Sequence, residues 1–429
     1  MGMNRMQIEK GVAKNMELVG YHDMEDRPGF QMAMQVVDNR WYLYCAHYRH
    51  QGWTIMDVSD PTAPKFIKFI PEPGGKPATS TLKVQVADGI MITQLQLRLQ
   101  SLKEGRPHDP CDEGIRIWDV RDPENPKHLA YWKTGGGHWI GTHRNYYGGG
   151  RYVHLSATCP GFTGHIYRII DIIDPTHPVE VGRWWVPEQW AAGGAKYTGP
   201  MLTHPSLQLH GPYPQGNRAY LAYCDAGLVI LDISDISLPK FVGQLKTKPP
   251  LGAFIALHSA IPLTKRKLVI VSSEGIGMES YAKATGSKGV LPLGFGGIVD
   301  ISDETNPTLI SIFPVPEPPP GAPYKNFHEK PGWFGLHNWH EPHNHPHLED
   351  RDDRAYLAYF NAGVRVYDIS DPLLPREIAY YIPPDPKKRL TSGRGDKLAV
   401  ASEDVLVDKR GNIYVTDSNM GLHVLRCRA

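Results

Sequence analysis

The feature that most constrains the fold is a short unit that the chain repeats six times. Each copy is an apolar strand ending in Asp, a turn of the Ile-Ser-Asp-Pro type, and a Pro four residues after the second Asp. The copies recur at intervals of roughly 50 to 70 residues, which suits a four-stranded unit with variable loops. They begin at Asp57, Asp119, Asp171, Asp232, Asp300 and Asp368. Because Asp accepts hydrogen bonds from nearby backbone amides and Pro restricts φ, each copy predicts a tight turn between two strands.

Fragments at the two ends of the chain predict how these units are assembled. Residues 398–428 supply three strands and no fourth, whereas residues 15–22 match the outer strand of a unit but have no unit before them. Pairing the two fragments completes a seventh unit and leaves no exposed sheet edge. We therefore predict an all-β chain, a single seven-bladed β-propeller domain over residues 1–429. The predicted blades are 29–71, 79–133, 140–186, 205–246, 254–315, 334–383, and 398–428 together with 15–22.

Composition excludes several classes of function. The chain has 46 Lys and Arg against 45 Asp and Glu, without the basic excess that duplex nucleic-acid binders usually show. Its five Cys are widely spaced and form no CxxC pair, which argues against a disulfide framework or a thiolate zinc site. No apolar run reaches the length of a signal peptide or of a membrane span. We expect a cytoplasmic protein with a small-molecule substrate, and a homo-oligomer stays open.

Histidines recur at the innermost strand of four consecutive predicted blades. His143, His210 and His258 each stand shortly before the second strand of their unit. In the next unit the local context favours His337, whereas spacing and the echo of His204 and His210 favour His343. We take His343 as the fourth, with His337 as the alternative and His345 also open.

The equivalent positions of the other three blades carry Gln35, Gln85 and Glu403. Neutral imidazoles that converge on one point are the ligands a mid-series divalent metal prefers. Four His without carboxylate or thiolate favour iron or copper over a structural zinc, and leave zinc or manganese open. Glu341 suits either the orientation of a ligand imidazole or a surface charge. A lone inner-strand His is more commonly a hydrogen-bonded channel residue, and duplication also repeats residues, although it would place His in all seven blades.

Long connections are predicted on the face where the innermost strands begin. They carry Gly and aromatic residues, Trp190 and Tyr197 among them, and Trp139, Trp333 and Trp339 lie beside the His positions. These features predict an apolar lid over the site. The connections are 94–113, 187–203, 273–296, 315–334 and 383–399.

The Leu/Val-Ile/Val-x-Asp-Ile-Ser-Asp-Pro units resemble those of the LVIVD-repeat proteins over nearly the whole chain. The resemblance implies a propeller and little about activity, since propellers host many functions. The four-His arrangement is similar to that of the carotenoid cleavage oxygenases, which hold iron with four His on a seven-bladed propeller. It is also similar to that of the selenium-binding and methanethiol oxidase proteins. These two likenesses cover architecture and ligand type only.

Three functions are consistent with these patterns. The first is a mononuclear iron or copper oxygenase or oxidase that acts on a small aromatic or unsaturated compound. In it His143, His210, His258 and His343 hold the metal, and Gln35, Gln85 and Glu403 complete the cup. The second is a metal-dependent hydrolase or lyase, with Glu403 or Glu341 as the base for a metal-bound water. The third is a non-enzymatic interaction propeller with structural His residues.

Overall fold

The protein is described by a computed structural model that covers residues 11–47, 50–137, 140–196, 207–246, 255–275, 294–390 and 398–429. It is a nearly all-β structure in which seven antiparallel sheets form the blades of a ring. The predicted fold class, a seven-bladed β-propeller, is confirmed. The assignment of residues 1–429 to one domain stays a prediction.

The strands follow the order of the repeated units. Two outer strands come first, β1 (Val12–Lys14) and β2 (Met16–His22). Blade 1 contains β3 (Gly29–Val37), β4 (Arg40–His47), β5 (Gly52–Asp57) and β6 (Lys65–Pro71). Blade 2 contains β7 (Thr79–Ser80), β8 (Val84–Ala87), β9 (Ile90–Leu97), β10 (Gly114–Asp119) and β11 (Lys127–Trp132). Blade 3 contains β12 (Thr142–Tyr146), β13 (Tyr152–Ala157), β14 (Ile166–Asp171) and β15 (Val179–Trp184).

The remaining blades repeat this pattern. Blade 4 contains β16 (Gly211–Gln215), β17 (Arg218–Ala222), β18 (Leu228–Asp232) and β19 (Lys240–Leu245). Blade 5 contains β20 (Ile255–Leu263), β21 (Leu268–Glu274), β22 (Gly296–Asp300) and β23 (Thr308–Ile312). Blade 6 contains β24 (Arg354–Ala358), β25 (Val364–Asp368) and β26 (Arg376–Ile382), and blade 7 contains β27 (Ser402–Val407), β28 (Asn412–Asp417) and β29 (Gly421–Cys427).

Helical structure in the described residues is confined to short pieces. They are α1 (Leu99–Lys103) and 3-10 turns at Pro187–Gln189, Ala191–Gly193, Cys224–Ala226 and Thr264–Arg266. Within the same residues, no helix is long and apolar enough to cross a membrane.

The N-terminal segment closes the ring as the sequence predicts. Strand β2 pairs antiparallel with β29, so blade 7 is built from both ends of the chain. Strand β1 adds a second link that the sequence did not indicate, because it pairs with β26 on the outer edge of blade 6. The N-terminal residues therefore join two neighbouring blades.

The repeated Asp turn packs against the preceding blade through a conserved geometry within the ring. Glycines in three outer strands leave room for the carbonyl of the next blade's turn: Gly20 faces Pro61, Gly182 faces Ile236 and Gly243 faces Glu304. A Cβ at any of these glycines would lie 2.0 Å from the facing carbonyl oxygen. The turns therefore set the contact between blades, and apolar strand residues fill the interface, for example Ile169 of blade 3 against Leu221 of blade 4.

The innermost segments depart from regular strand pairing where they carry polar residues. The register shifts between Thr142 and Arg144 in β12 and between Ser402 and Asp404 in β27. It also shifts between Ile255 and Ser259 in β20. Such bulges leave one residue out of the ladder and re-aim its side chain. They occur at His143, at Glu403 and beside His258.

Candidate metal centre

Four imidazoles from four consecutive blades form a continuous row at the inner segments. His143 Nε2 lies 2.8 Å from His210 Nε2. The ring centroids of His210 and His258 are 3.8 Å apart, and those of His258 and His337 are 5.4 Å apart. We call these four residues, together with Glu274 and Glu403, the imidazole cluster.

Blade 6 contributes His337 to this row because of its backbone register. His337 donates its backbone N–H to the carbonyl of Ala358 (3.0 Å), and His210 donates in the same way to Ala222 (2.8 Å). Both acceptors end an identical strand sequence, Arg-Ala-Tyr-Leu-Ala, in blades 4 and 6. The inner segment of blade 6 is therefore equivalent to that of blade 4 at His337.

Two buried carboxylates lie against the row. The Glu274 oxygens lie 3.7 Å from His258 Nε2 and 3.6 Å from His337 Nε2. The Glu403 Oε2 atom lies 3.3 Å from His337 Nδ1, and its Oε1 accepts a hydrogen bond from Ser418 Oγ. His210, His258 and Glu274 each offer one potential metal-ligand atom, and these atoms all lie within 4.8 Å of one another.

The tautomers of His143 and His210 direct two lone pairs at each other. His210 Nδ1 lies 2.6 Å from the carbonyl oxygen of His258, so this nitrogen carries the proton and Nε2 carries the lone pair. His143 Nδ1 lies 3.1 Å from Gln96 Oε1, which assigns the same tautomer to His143. Two Nε2 lone pairs at 2.8 Å repel each other unless a cation or a proton satisfies them.

Burial disfavours a proton at this position. Burial, together with the charges on Arg144 and Lys83, holds the pKa of His210 well below its ordinary value. The same causes, with His337 and His143, hold the pKa of His258 well below its ordinary value. Neutral imidazoles are the state that binds metals. The donor set therefore fits a divalent ion.

A ring of charged side chains surrounds the cluster. Lys83, Arg144, Glu341 and Asp404 are all buried. Arg144 donates to Glu341, and Asp404 accepts the backbone N–H of Met32 at 2.8 Å. Burial and the charge on Arg144 lower the pKa of Lys83, whereas burial raises the pKa of Asp404. For Glu341, burial acts in the opposite direction, but Arg144 and His343 outweigh it and lower the pKa.

His343 belongs to a second group beside the cluster. Its Nε2 lies 3.2 Å from Glu341 Oε2 and 3.3 Å from Gln85 Nε2, and its ring stacks on Tyr213 with centroids 5.5 Å apart. Burial lowers the pKa of His343 to about 4. The structure thus brings His337, rather than His343, beside His258 and Glu274.

The other predicted residues lie farther along the inner strands. Gln35 donates to the carbonyl of Val120 at 2.8 Å, and it lines an open cavity of about 340 Å³ with the half-buried His345 and with Asp88. Trp339 is buried against Phe313, so it belongs to the core. Trp139, His204 and the lid residues 197–203, 276–293 and 391–397 lie outside the described residues.

Sequence reasoning missed Glu274, Gln96, Lys83, Arg144 and Asp404. A signal exists for some of them, because Lys83 interrupts the apolar segment Leu82-Lys83-Val84 and Glu274 ends the apolar strand β21. A charged residue in a strand that is buried on both sides is rarely without a role. Gln96 and Arg144 become informative only when the blades are placed next to each other.

Comparisons with known proteins agree with the repeat. The LVIVD repeat family matches residues 33–69, 167–185, 215–247, 297–314 and 352–382, so the chain contains LVIVD repeats. No curated protein matches the chain in sequence. The likeness to the carotenoid cleavage oxygenases stays a prediction.

Solved structures show the fold alone. The WD40 β-propeller domain of Doa1 is similar at 8% identity with a TM-score of 0.51, covering 97% of this chain and 97% of that one. A chain of the mitotic checkpoint complex is similar at 9% identity with a TM-score of 0.50, covering 99% of this chain and 97% of that one.

Proposed function

We propose that this LVIVD-repeat propeller is a mononuclear metal enzyme, an iron- or copper-dependent oxygenase or oxidase of small aromatic or unsaturated compounds. Its ligands are His210, His258 and Glu274, with His143 and His337 at adjacent positions. The observation that carries the proposal is the 2.8 Å approach of the His143 and His210 Nε2 atoms, each with its Nδ1 already used as a donor. A cytoplasmic location is part of the proposal.

The distances suit ligands of one ion. Two nitrogens at adjacent octahedral positions, each about 2.0–2.1 Å from a metal, lie about 2.9 Å apart. The second nitrogen of a metal-bound His usually donates to a carbonyl or a carboxylate, as His210 does to the His258 carbonyl. Two His and one carboxylate with open positions are typical of non-haem iron oxygenases. Copper, zinc and manganese accept overlapping donor sets, so the ligands favour iron without excluding these metals.

The chain's own residues have defined tasks in this proposal. When bound, the ion would activate O₂ or polarise the substrate. Glu403 orients His337 through Nδ1, and Ser418 holds Glu403 in place. The ring of Phe360 stacks on His337 with centroids 4.6 Å apart, which restrains the imidazole and keeps water from that side. These contacts preorganise the ligands before substrate binds.

A metal-dependent hydrolase or lyase is the second candidate. The observation that favours it is the buried Lys83 amine, since burial lowers its pKa toward neutrality and makes it available for proton transfer. Glu341 is less suited to the role of base, because Arg144 and His343 hold it in an ion-paired arrangement. A metal-bound water would supply the nucleophile in this case.

Metal analysis of matched variants tests the ligand assignment. We expect His210→Ala and His337→Ala to lose most of the bound metal, because each removes an imidazole from the cluster. His343→Ala is the control, as it removes a buried imidazole from the neighbouring group. Equal metal content in His210→Ala and the parent protein would refute the assignment, and loss in His343→Ala alone would place the ion in the second group.

The identity of the metal separates the two candidates. Iron or copper, with oxygen consumption during turnover, supports the oxygenase or oxidase. Zinc or manganese, with turnover in the absence of oxygen, supports the hydrolase or lyase.

A further inference from the structure

Lys83 is a buried cation without a hydrogen-bond acceptor. It lies between β7 and β8 in the inner segment of blade 2, and only 2% of its surface is exposed. Its Nζ lies 4.9 Å from the ring centroid of Phe30, and within the described part of the chain it donates no hydrogen bond. Lysines are almost never fully buried unless they are paired, because a buried ammonium without a partner is costly.

The carboxylates near Lys83 have other partners. Glu341, Asp404 and Glu274 all attract its charge. Glu341 accepts from Arg144, and Asp404 accepts the backbone N–H of Met32. Glu274 faces His258 and His337. The ammonium is therefore held in the site by electrostatic attraction, while its N–H groups remain available to a ligand.

Phe30 connects Lys83 to the imidazole cluster. The Phe30 ring lies edge-on to His337 with centroids 5.6 Å apart, and Lys83 lies over the same ring. The charge on Lys83 also reaches His210 and His258, since it lowers the pKa of both. An apolar wall with a cation at one end and metal ligands at the other matches a flat apolar body that carries one anionic group.

We propose that Lys83 binds the oxyanion of an aromatic substrate, a carboxylate or a phenolate, and so aligns the ring along Phe30 toward the imidazole cluster. This inference rests on the proposed function for the chemistry that follows binding. It narrows the substrate from a small aromatic or unsaturated compound to one that is negatively charged when bound. A hydrogen bond to a charged partner contributes about 1.5–3 kcal/mol, which is a factor of about ten to a hundred in affinity.

Calorimetric titration of the purified protein with benzoate, phenol and benzamide tests this assignment. Benzamide has the shape of benzoate without its charge. We expect the parent protein to bind benzoate or phenol more tightly than benzamide, and Lys83→Met to weaken that binding at least about tenfold while leaving benzamide unchanged. Loss confined to benzoate identifies a carboxylate, and loss confined to phenol identifies a phenolate.

Lys330→Met is the matched control. Lys330 is also buried, but its Nζ donates to the carbonyl of Asn361 at 2.8 Å, so its amine is already satisfied. We expect this variant to bind the probes as the parent does. If Lys83→Met does not fold, Lys83→Gln keeps a polar end of similar length and takes its place. Parent-like benzoate and phenol binding in the folded variant overturns the inference, as does a parent that fails to prefer either anion.

Metal content is measured on the same samples to separate the two proposals. A Lys83 variant that retains its metal and loses the anion supports both. A parent that contains no metal, yet loses anion binding with Lys83→Met, refutes the proposed function and leaves the anion site standing.

Discussion

His423 makes the closed ring sensitive to acid. It lies on β29, where it pairs with Tyr21 of β2 and with Val415 of β28, and it is 0% exposed. Its ring lies 5.1 Å from that of Tyr21 and 5.9 Å from that of Tyr381, by centroids. In the described part of the chain, neither ring nitrogen has a hydrogen-bond partner. A proton on this imidazole would therefore place an unsolvated charge in the blade that joins the two ends of the chain.

The magnitude follows from the pKa. Burial lowers the pKa of His423 from its ordinary value of 6.5 to about 3. Below pH 6.5 the unfolded chain binds a proton that the folded chain refuses, so stability is full above pH 6.5 and falls as the pH drops toward 3. Each pH unit in this window costs about 1.4 kcal/mol, so the loss from His423 reaches about 2 kcal/mol at pH 5.

Urea unfolding at several pH values between 8 and 5 measures this loss. We expect His423→Phe to reduce the drop in unfolding free energy between pH 8 and pH 5 by about 2 kcal/mol relative to the parent. His108→Phe, the same change at an exposed loop position, should leave the drop unchanged. The reasoning fails if His423→Phe and the parent lose the same free energy over this range.

Two further predictions concern packing inside the ring. Arg144→Met leaves the buried Glu341 without its main partner and should cost about 3–5 kcal/mol in urea unfolding, most of which the added change Glu341→Leu should restore. An unaltered midpoint in the single variant would contradict this. Gly243→Ala places a Cβ against the carbonyl of Glu304 and should destabilise the protein by about 1–3 kcal/mol, as measured by its melting temperature. A melting curve that overlays the parent's would show that the turn is free to move away.

The fold was predictable because its signal is local and repeated. Each Asp turn can be read without knowledge of the others, and the unmatched outer strand at residues 15–22 indicates ring closure. The pairing of β1 with β26 was not predictable, since Val12–Lys14 is a three-residue exposed strand without alternation.

The candidate site was predictable only where it follows the repeat. His143, His210 and His258 lie in comparable inner segments, so counting from the turns finds them. His337 lies in a segment that makes only an isolated bridge, Trp339 to Leu357, and spacing alone favoured His343. The shared Arg-Ala-Tyr-Leu-Ala strand was the available signal, because it aligns His337 with His210. Glu274 comes from a second strand, and no first-strand comparison would find it.

Elemental analysis of the protein as purified tests the central claim most directly. The imidazole row, the facing Nε2 atoms and the buried Glu274 predict about one iron or copper ion per chain, and its loss in His210→Ala. A metal content well below one ion per chain, unchanged by added Fe²⁺ or Cu²⁺, would contradict the account and leave the four histidines as structural residues.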